Sequence, residues 1–296
     1  MQKILEINHL TKNFGRIKAV DNLTLSVEKG QVYGILGPNG SGKTTTLSII
    51  MGVVRQNSGT FSWFGNPSGN FAMRQSVGSL IEIPNFYPYL SLENNLKIAA
   101  HIKNAHPDDI DRVLKTTFLH KRKHSPYRTL SLGMKQRLAV AAVLLGDPEV
   151  MVLDEPTNGL DPQGIAEVRN IIRQEAEKGK TVILASHILA EVEKVCTHVA
   201  VLKGGELLAS GKVDELLGSA QIFLISAADI EKLETLLSGS EMVKSFSRTG
   251  DELTVSCTGS TSGADLNRFA FDHGIALSKL VAVKQSLESQ FLELVK

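Results

Sequence analysis

Between Gly37 and Thr44 the chain reads GPNGSGKT, and few eight-residue stretches leave a polypeptide so little choice of fold. The pattern G-x-x-x-x-G-K-[ST] makes a phosphate-binding loop when a buried strand runs into it and a helix runs out of it. Both neighbours are present. Val32-Tyr33-Gly34-Ile35-Leu36 is an apolar run of strand length, and Thr45 to Met51 can open a helix. Gly37, Gly40 and Gly42 let the backbone curl until several N–H groups aim at one anion, with Pro38, Asn39, Ser41 and Thr45 completing the cradle. The new helix adds its positive end. Lys43 has the reach for β- and γ-phosphates, and the Thr44 hydroxyl is placed to ligate Mg²⁺.

Two more apolar runs end in functional groups. Val150–Leu153 leads into Asp154 and Glu155, and Thr181–Ala185 leads into Ser186 and His187. Buried parallel strands of an α/β sheet end this way, with ligands gathered at their carboxyl ends. Asp154 is the candidate Mg²⁺ ligand opposite Thr44, and Glu155 the group that polarises an attacking water. Strands are also expected at Ile4–Leu10, Leu23–Val27 and Thr60–Phe64, with a hairpin over Val199–Leu202 and Leu207–Ala209. Residues 91–146 carry mostly helical patterning. After about Leu217 the chemistry thins out, and residues 221–283 read strand, helix, strand, strand, helix, strand. That is the ferredoxin-like order, and it divides the chain into domains 1–217 and 218–296. A last helix is expected at Ser286–Val295.

Bulk properties exclude some classes. The 296 residues suit one large domain and one small one. A net charge of +1 gives no global reason to expect nucleic-acid binding, and Lys121-Arg122-Lys123-His124 reads as a solvated helix end or loop. Cys196 and Cys257 form no CxxC pair, which fits a reducing compartment and argues against a cysteine metal site. The N-terminal stretch MQKILEINHLTKNFG lacks a long apolar region, so no signal peptide is expected. No apolar run approaches the roughly 18 residues needed to span a bilayer; any spanning part is expected on other chains.

Ahead of Val150 stands Leu130-Ser131-Leu132-Gly133-Met134-Lys135-Gln136-Arg137, and after Glu155 comes Pro156-Thr157-Asn158-Gly159-Leu160-Asp161. In this order and spacing the set resembles the ATP-binding subunit of an ABC transporter, over residues 2 to about 217. The resemblance implies a phosphate-loop nucleotide-binding domain with a helical subdomain at about 91–146 and an antiparallel β subdomain. It further implies ATP and Mg²⁺ as ligands and a head-to-tail pair with a second ATP-binding subunit, identical or different. Ser131 and Gly133 would then contact the γ-phosphate held by the partner subunit. Asp161 would join the two sites, His187 would contact the γ-phosphate and help hold the water, and Phe14 would stack on adenine. Separately encoded permease subunits would span the membrane, placing this chain in the cytoplasm on the inner face.

Two positions depart from the family pattern. The signature reads LSLGM where LSGGQ is usual, so Leu132 lacks glycine's backbone freedom and an altered but working contact is expected. Glu82 stands where the family usually has a metal-ligating glutamine; a carboxylate can keep that role. The aromatic loop Ile83–Leu90 after it reads as a docking surface for a permease coupling helix. Glutamate here, with an LSLGM-type signature, is similar to exporters linked to lantibiotic immunity and bacitracin resistance. Two alternatives stay open: an ABC-type ATPase acting on DNA or ribosomes, and a regulatory nucleotide-binding subunit with low turnover. The absence of sustained heptads or a second phosphate loop weighs against the first.

Overall fold

The computed structural model describes residues 2–67, 76–82, 85–216, 221–258 and 261–283. The helix expected at Ser286–Val295 lies outside these, as do Ile83 and Pro84 of the aromatic loop. The chain divides into two compact units, Met1–Val213 and Asp214–Lys296. Val213 is buried and its N–H donates to the Thr197 carbonyl at 3.0 Å, which ties it to the first unit.

The first unit holds two sheets. Strands β1 (Lys3–Phe14) and β2 (Ile17–Glu28) form an antiparallel hairpin. They run past the apolar stretches Ile4–Leu10 and Leu23–Val27 because their outer ends pair through residues such as Lys12, Asn13 and Lys18. With β4 (Ser58–Trp63) and β5 (Asn66–Pro67) they make a sheet in the order β2-β1-β4-β5.

The second sheet contains β3 (Val32–Leu36), β6 (Val77–Leu80), β7 (Val150–Asp154), β8 (Thr181–Ser186), β9 (His198–Lys203) and β10 (Glu206–Lys212), ordered β10-β9-β3-β8-β7-β6. All neighbours are parallel except β10, which returns antiparallel on β9. Every residue of β3, β7 and β8 is buried, as expected where a parallel sheet is covered on both faces.

Helix α1 (Lys43–Ile50) joins the two sheets through one core. Its Leu47, Ile49 and Ile50 share a cluster with Ile35, Val152 and Ile183 of the parallel sheet and with Ile7, Leu25 and Trp63 of the antiparallel one. Trp63 Nε1 donates to the Ile50 carbonyl at 2.9 Å, satisfying an acceptor at the helix end.

Helices α2 (Leu92–Lys103), α3 (Asp109–Thr116) and α4 (Leu132–Leu144) lie in the stretch between β6 and β7. Helix α5 (Pro162–Glu177) leads from β7 towards β8, and the short α6 (Leu189–Glu193) follows β8. A one-turn helix α7 (Val213–Leu216) closes the series. No helix among the described residues is long and apolar enough to cross a membrane.

The second unit runs β11 (Ile222–Ala227), α8 (Ile230–Ser238), β12 (Val243–Thr249), β13 (Glu252–Cys257), α9 (Gly263–Asp272) and β14 (Leu277–Val283). Its antiparallel sheet has the order β12-β13-β11-β14. Phe223, Ile225, Leu253 and Val255 from the sheet pack against Leu233, Leu237, Leu266 and Ala270 from the helices. A capping box starts α9: Asp265 N–H donates to Ser262 Oγ, and Ser262 N–H donates back to the Asp265 carboxylate.

Candidate functional site

The phosphate loop leaves the carboxyl end of β3 and becomes α1 at Lys43. Gly42 precedes that helix at φ 101°, and a Cβ there would stand 2.3 Å from the Ala19 carbonyl oxygen. No other residue type fits a left-handed backbone in so little space. Gly37 is closed in the same way, with the Leu202 carbonyl 2.2 Å from a hypothetical Cβ. Backbone bonds stitch the loop to the antiparallel sheet. The Ser41 carbonyl accepts from Gly205 N–H at 3.2 Å, and the Gly205 carbonyl accepts from Asp21 N–H at 2.8 Å.

Lys43 is buried, and its Nζ donates to the carbonyls of Gly37 at 2.8 Å and Pro38 at 3.2 Å. This curls the ammonium back over the loop it follows. Ser41 Oγ is buried inside the loop without a hydrogen-bond partner.

The acidic groups arrive from β7, with β8 lying between it and β3. Asp154 is the last residue of β7 and is buried. Burial pushes its carboxyl above the usual carboxylate range. A hydrogen bond from the Thr44 side chain pulls the other way, as does the Lys43 charge, while Glu155 and Glu82 raise it further. Asp154 Oδ1 is buried without a hydrogen-bond partner. A hard-oxygen corner of this kind, an orphaned carboxylate oxygen beside a threonine hydroxyl, fits a divalent cation such as Mg²⁺.

Glu155 leaves the strand at φ 45°, a left-handed conformation uncommon for a residue with a side chain, and its N–H donates to the Ala185 carbonyl at 3.0 Å. One carboxylate oxygen lies 3.5 Å from Lys43 Nζ and the other 2.9 Å from His187 Nδ1. Three strand ends thus deliver a lysine, a glutamate and a histidine to one point. Glu82 also has positive φ, 62°, after β6 at the sheet edge; it is exposed, yet its charge reaches Asp154.

Ser131, Gly133 and Asp161 belong to a second cluster. Ser131 caps α4 by accepting from Met134 N–H at 3.3 Å, and Asp161 caps α5 by accepting from Gly164 N–H at 2.9 Å. The two helix starts touch: a Cβ on Gly133 would lie 3.8 Å from Gly164 Cα, and one on Gly159 would lie 3.4 Å from the Leu132 side chain. Leu132 opens α4 and is not among the residues with positive φ, so it carries no strain that glycine would relieve. The backbone freedom of glycine, expected to matter for an altered but working contact, is not used at this position; what differs from the family pattern is an exposed apolar side chain on the signature.

Phe14 ends β1 with its ring half-exposed and Lys12 Nζ 4.9 Å from the ring centre. Sequence reading assigned no role to Ser186. Its buried hydroxyl accepts from Ile188 N–H at 3.0 Å and holds the turn that presents His187. A short hydroxyl residue directly after an apolar run was the available signal.

The arrangement supplies a backbone anion cradle, a buried cation and hard-cation ligands. A carboxylate held between Lys43 and His187 adds a group that can orient a water. Residues 20–158 match the family model described as ABC transporter. The chain is 35% identical over 303 residues to the bacitracin transport ATP-binding protein BcrA of Bacillus licheniformis, covering 100% of this chain and 98% of the relative. It is 36% identical over 211 residues to the lantibiotic transport ATP-binding protein SrtF of Streptococcus pyogenes, covering 71% of this chain and 92% of the relative. Among solved structures, cbiO1 from Clostridium perfringens, part of the ABC transporter complex cbiONQ, is similar with a TM-score of 0.67. The identity is 29%, covering 74% of this chain and 92% of that one.

Proposed function

Since this chain belongs to the ABC transporter family of ATP-binding proteins, we propose that it is the ATP-hydrolysing motor subunit of an exporter, working beside separate membrane-spanning subunits. The observation that carries this reading is the Glu155 carboxylate, placed 3.5 Å from Lys43 Nζ and 2.9 Å from His187 Nδ1. Lys43 and the loop N–H groups hold the triphosphate and neutralise charge on it. Glu155 orients water for attack on the γ-phosphorus and accepts its proton as the bond to ADP breaks, releasing inorganic phosphate. His187 fixes the Glu155 carboxylate and lies beside the γ-phosphate. Thr44 and Asp154, with Glu82 at the edge, would hold Mg²⁺, which supplies charge neutralisation at the phosphate oxygens. Phe14 offers its exposed ring to the adenine face.

Ser131 and Gly133, clustered at the start of α4, contact the γ-phosphate of the partner subunit's ATP. Asp161 lies at the junction of the two sites. Closure of the pair on ATP and its reopening after hydrolysis then drive the membrane subunits. Exposed Tyr87 and Tyr89 are the aromatic surface on which a permease coupling helix would dock, so the chain works as a peripheral subunit on the inner face of the cell membrane. The relatives' names point to antimicrobial peptides such as bacitracin or lantibiotics as the exported class. The second unit, with strand order β12-β13-β11-β14 and two helices, we assign as a ferredoxin-like accessory domain.

The test is Glu155→Gln in the full chain. It is expected to bind ATP, stop turning over and accumulate as an ATP-bound dimer by light scattering. Undiminished turnover would remove Glu155 from this role.

A further inference from the structure

Helix α5 carries two ion bridges that the chemistry above does not use. Successive residues on a helix point roughly 100° apart, so Glu167, Val168 and Arg169 face three ways. Val168 is fully buried in the core, and its neighbours flank it on either side. Glu167 Oε2 lies 3.2 Å from Nε of Arg137 on α4, an ion pair without a hydrogen bond: that Nε has no hydrogen-bond partner, and the guanidinium donates from Nη1 to the Thr117 carbonyl at 3.3 Å. Arg169 Nη1 donates to Oε2 of Glu191 on α6, also at 3.2 Å. Further along α5, Arg173 Nη2 donates to the Lys194 carbonyl at 2.5 Å, a second tie to the end of α6.

Both bridges are sheltered: side-chain exposure is 11% and 29% for Arg137 and Glu167, and 23% and 16% for Arg169 and Glu191. Partly buried pairs of this kind are screened less by salt than exposed ones. Arg169 Nε is buried without a hydrogen-bond partner beside a small cavity lined by Thr157, Ser186, Glu191 and Ile172. That leaves the bridge to Glu191 as the charged contact holding the guanidinium.

The ends of these helices give the bridges their meaning. Helix α4 is capped by Ser131 and carries Gly133 in its first turn, α5 is capped by Asp161, and α6 begins two residues after His187. Two adjacent flanks of α5 therefore tie the helix that starts after Ser131 to the helix that follows His187. Under the proposed function, on which this inference rests, Ser131 serves the partner subunit's ATP while His187 serves the chain's own. We propose that Glu167 and Arg169 are positioning residues that couple the two ATP sites of the dimer, so that a shift at one site moves the groups serving the other.

The test is the ATP dependence of hydrolysis by the full chain at concentrations that support dimers. Wild type is expected to show a Hill coefficient above about 1.5, within the limit set by two sites. Arg169→Gln and Glu167→Gln should each bring it towards about 1, with half-saturating ATP moving less than about threefold. The reversed pair Arg169→Glu with Glu191→Arg should restore cooperativity; a merely structural loss would lower the melting temperature and leave the Hill coefficient alone. If Arg169→Gln fails to fold, Glu191→Gln breaks the same bridge from the other end. Unchanged Hill coefficients in folded variants, or a reversed pair that restores nothing, overturn the coupling role. If Glu155→Gln traps a dimer but wild type hydrolyses ATP without cooperativity, the proposed function stands and the coupling falls; if no dimer forms, both fall.

Discussion

The two units of this chain bury different things. In Met1–Val213 the interior takes in Lys43, Asp154, Glu175 and Lys180, and its non-glycine residues with positive φ include Glu82 and Glu155 at strand ends. Among the described residues of Asp214–Lys296, no polar or charged residue is buried, and only glycines, Gly250 and Gly274, have positive φ. Buried charge and left-handed backbone each lower stability. In the first unit Lys43, Asp154 and the left-handed Glu155 stand at the phosphate loop, while Glu175 and Lys180 pair at 3.5 Å before the amino end of β8; the second is built from regular strands, regular caps and an apolar interior. Around Lys43, Asp154 and Glu155 the fold carries costs that the second unit avoids.

The sharpest way to break this contrast is Glu155→Gln. It should lower kcat by roughly 10³-fold while leaving unfolding of both units nearly unchanged; stopped turnover with a large loss of stability would mean the strained residue is structural. The mirror experiment is Leu233→Ala, which removes a fully buried side chain from the second core. Calorimetry should show that unit destabilised by about 2–5 kcal/mol, with ATP hydrolysis within about twofold of wild type.

Smaller changes refine the picture. Glu82→Ala should raise the Mg²⁺ concentration for half-maximal hydrolysis by roughly tenfold; no change would take Glu82 out of the metal corner. Ser262→Ala, which opens the capping box of α9, should cost the second unit about 1 kcal/mol in denaturant midpoint analysis and nothing in turnover.

Local pattern made much of this legible. GPNGSGKT between a strand and a helix, the carboxylates after Val150–Leu153, and the strand–helix order after residue 221 all rest on neighbours in sequence. What stayed hidden depends on contacts across the chain. Glu155 lies 32 residues from His187 along the chain, and no local pattern says their side chains meet. The positive φ values at Glu82 and Glu155 break the rule that such positions want glycine. The outer ends of β1 and β2 are not legible because polar residues such as Lys12, and the pair Asn13 with Lys18, interrupt the apolar runs that mark a strand.

The path from Asp21 through Gly205 to Ser41 is made wholly of main-chain hydrogen bonds, and the Ala19 carbonyl leaves no room for a side chain on Gly42. A joint of this kind has no slack. Side chains can change rotamer and absorb a small displacement, but these links have no rotamers to change. Movement of the phosphate loop therefore reaches β2 through main-chain links with no side chain between, and the antiparallel sheet is the first element to feel what the loop grips.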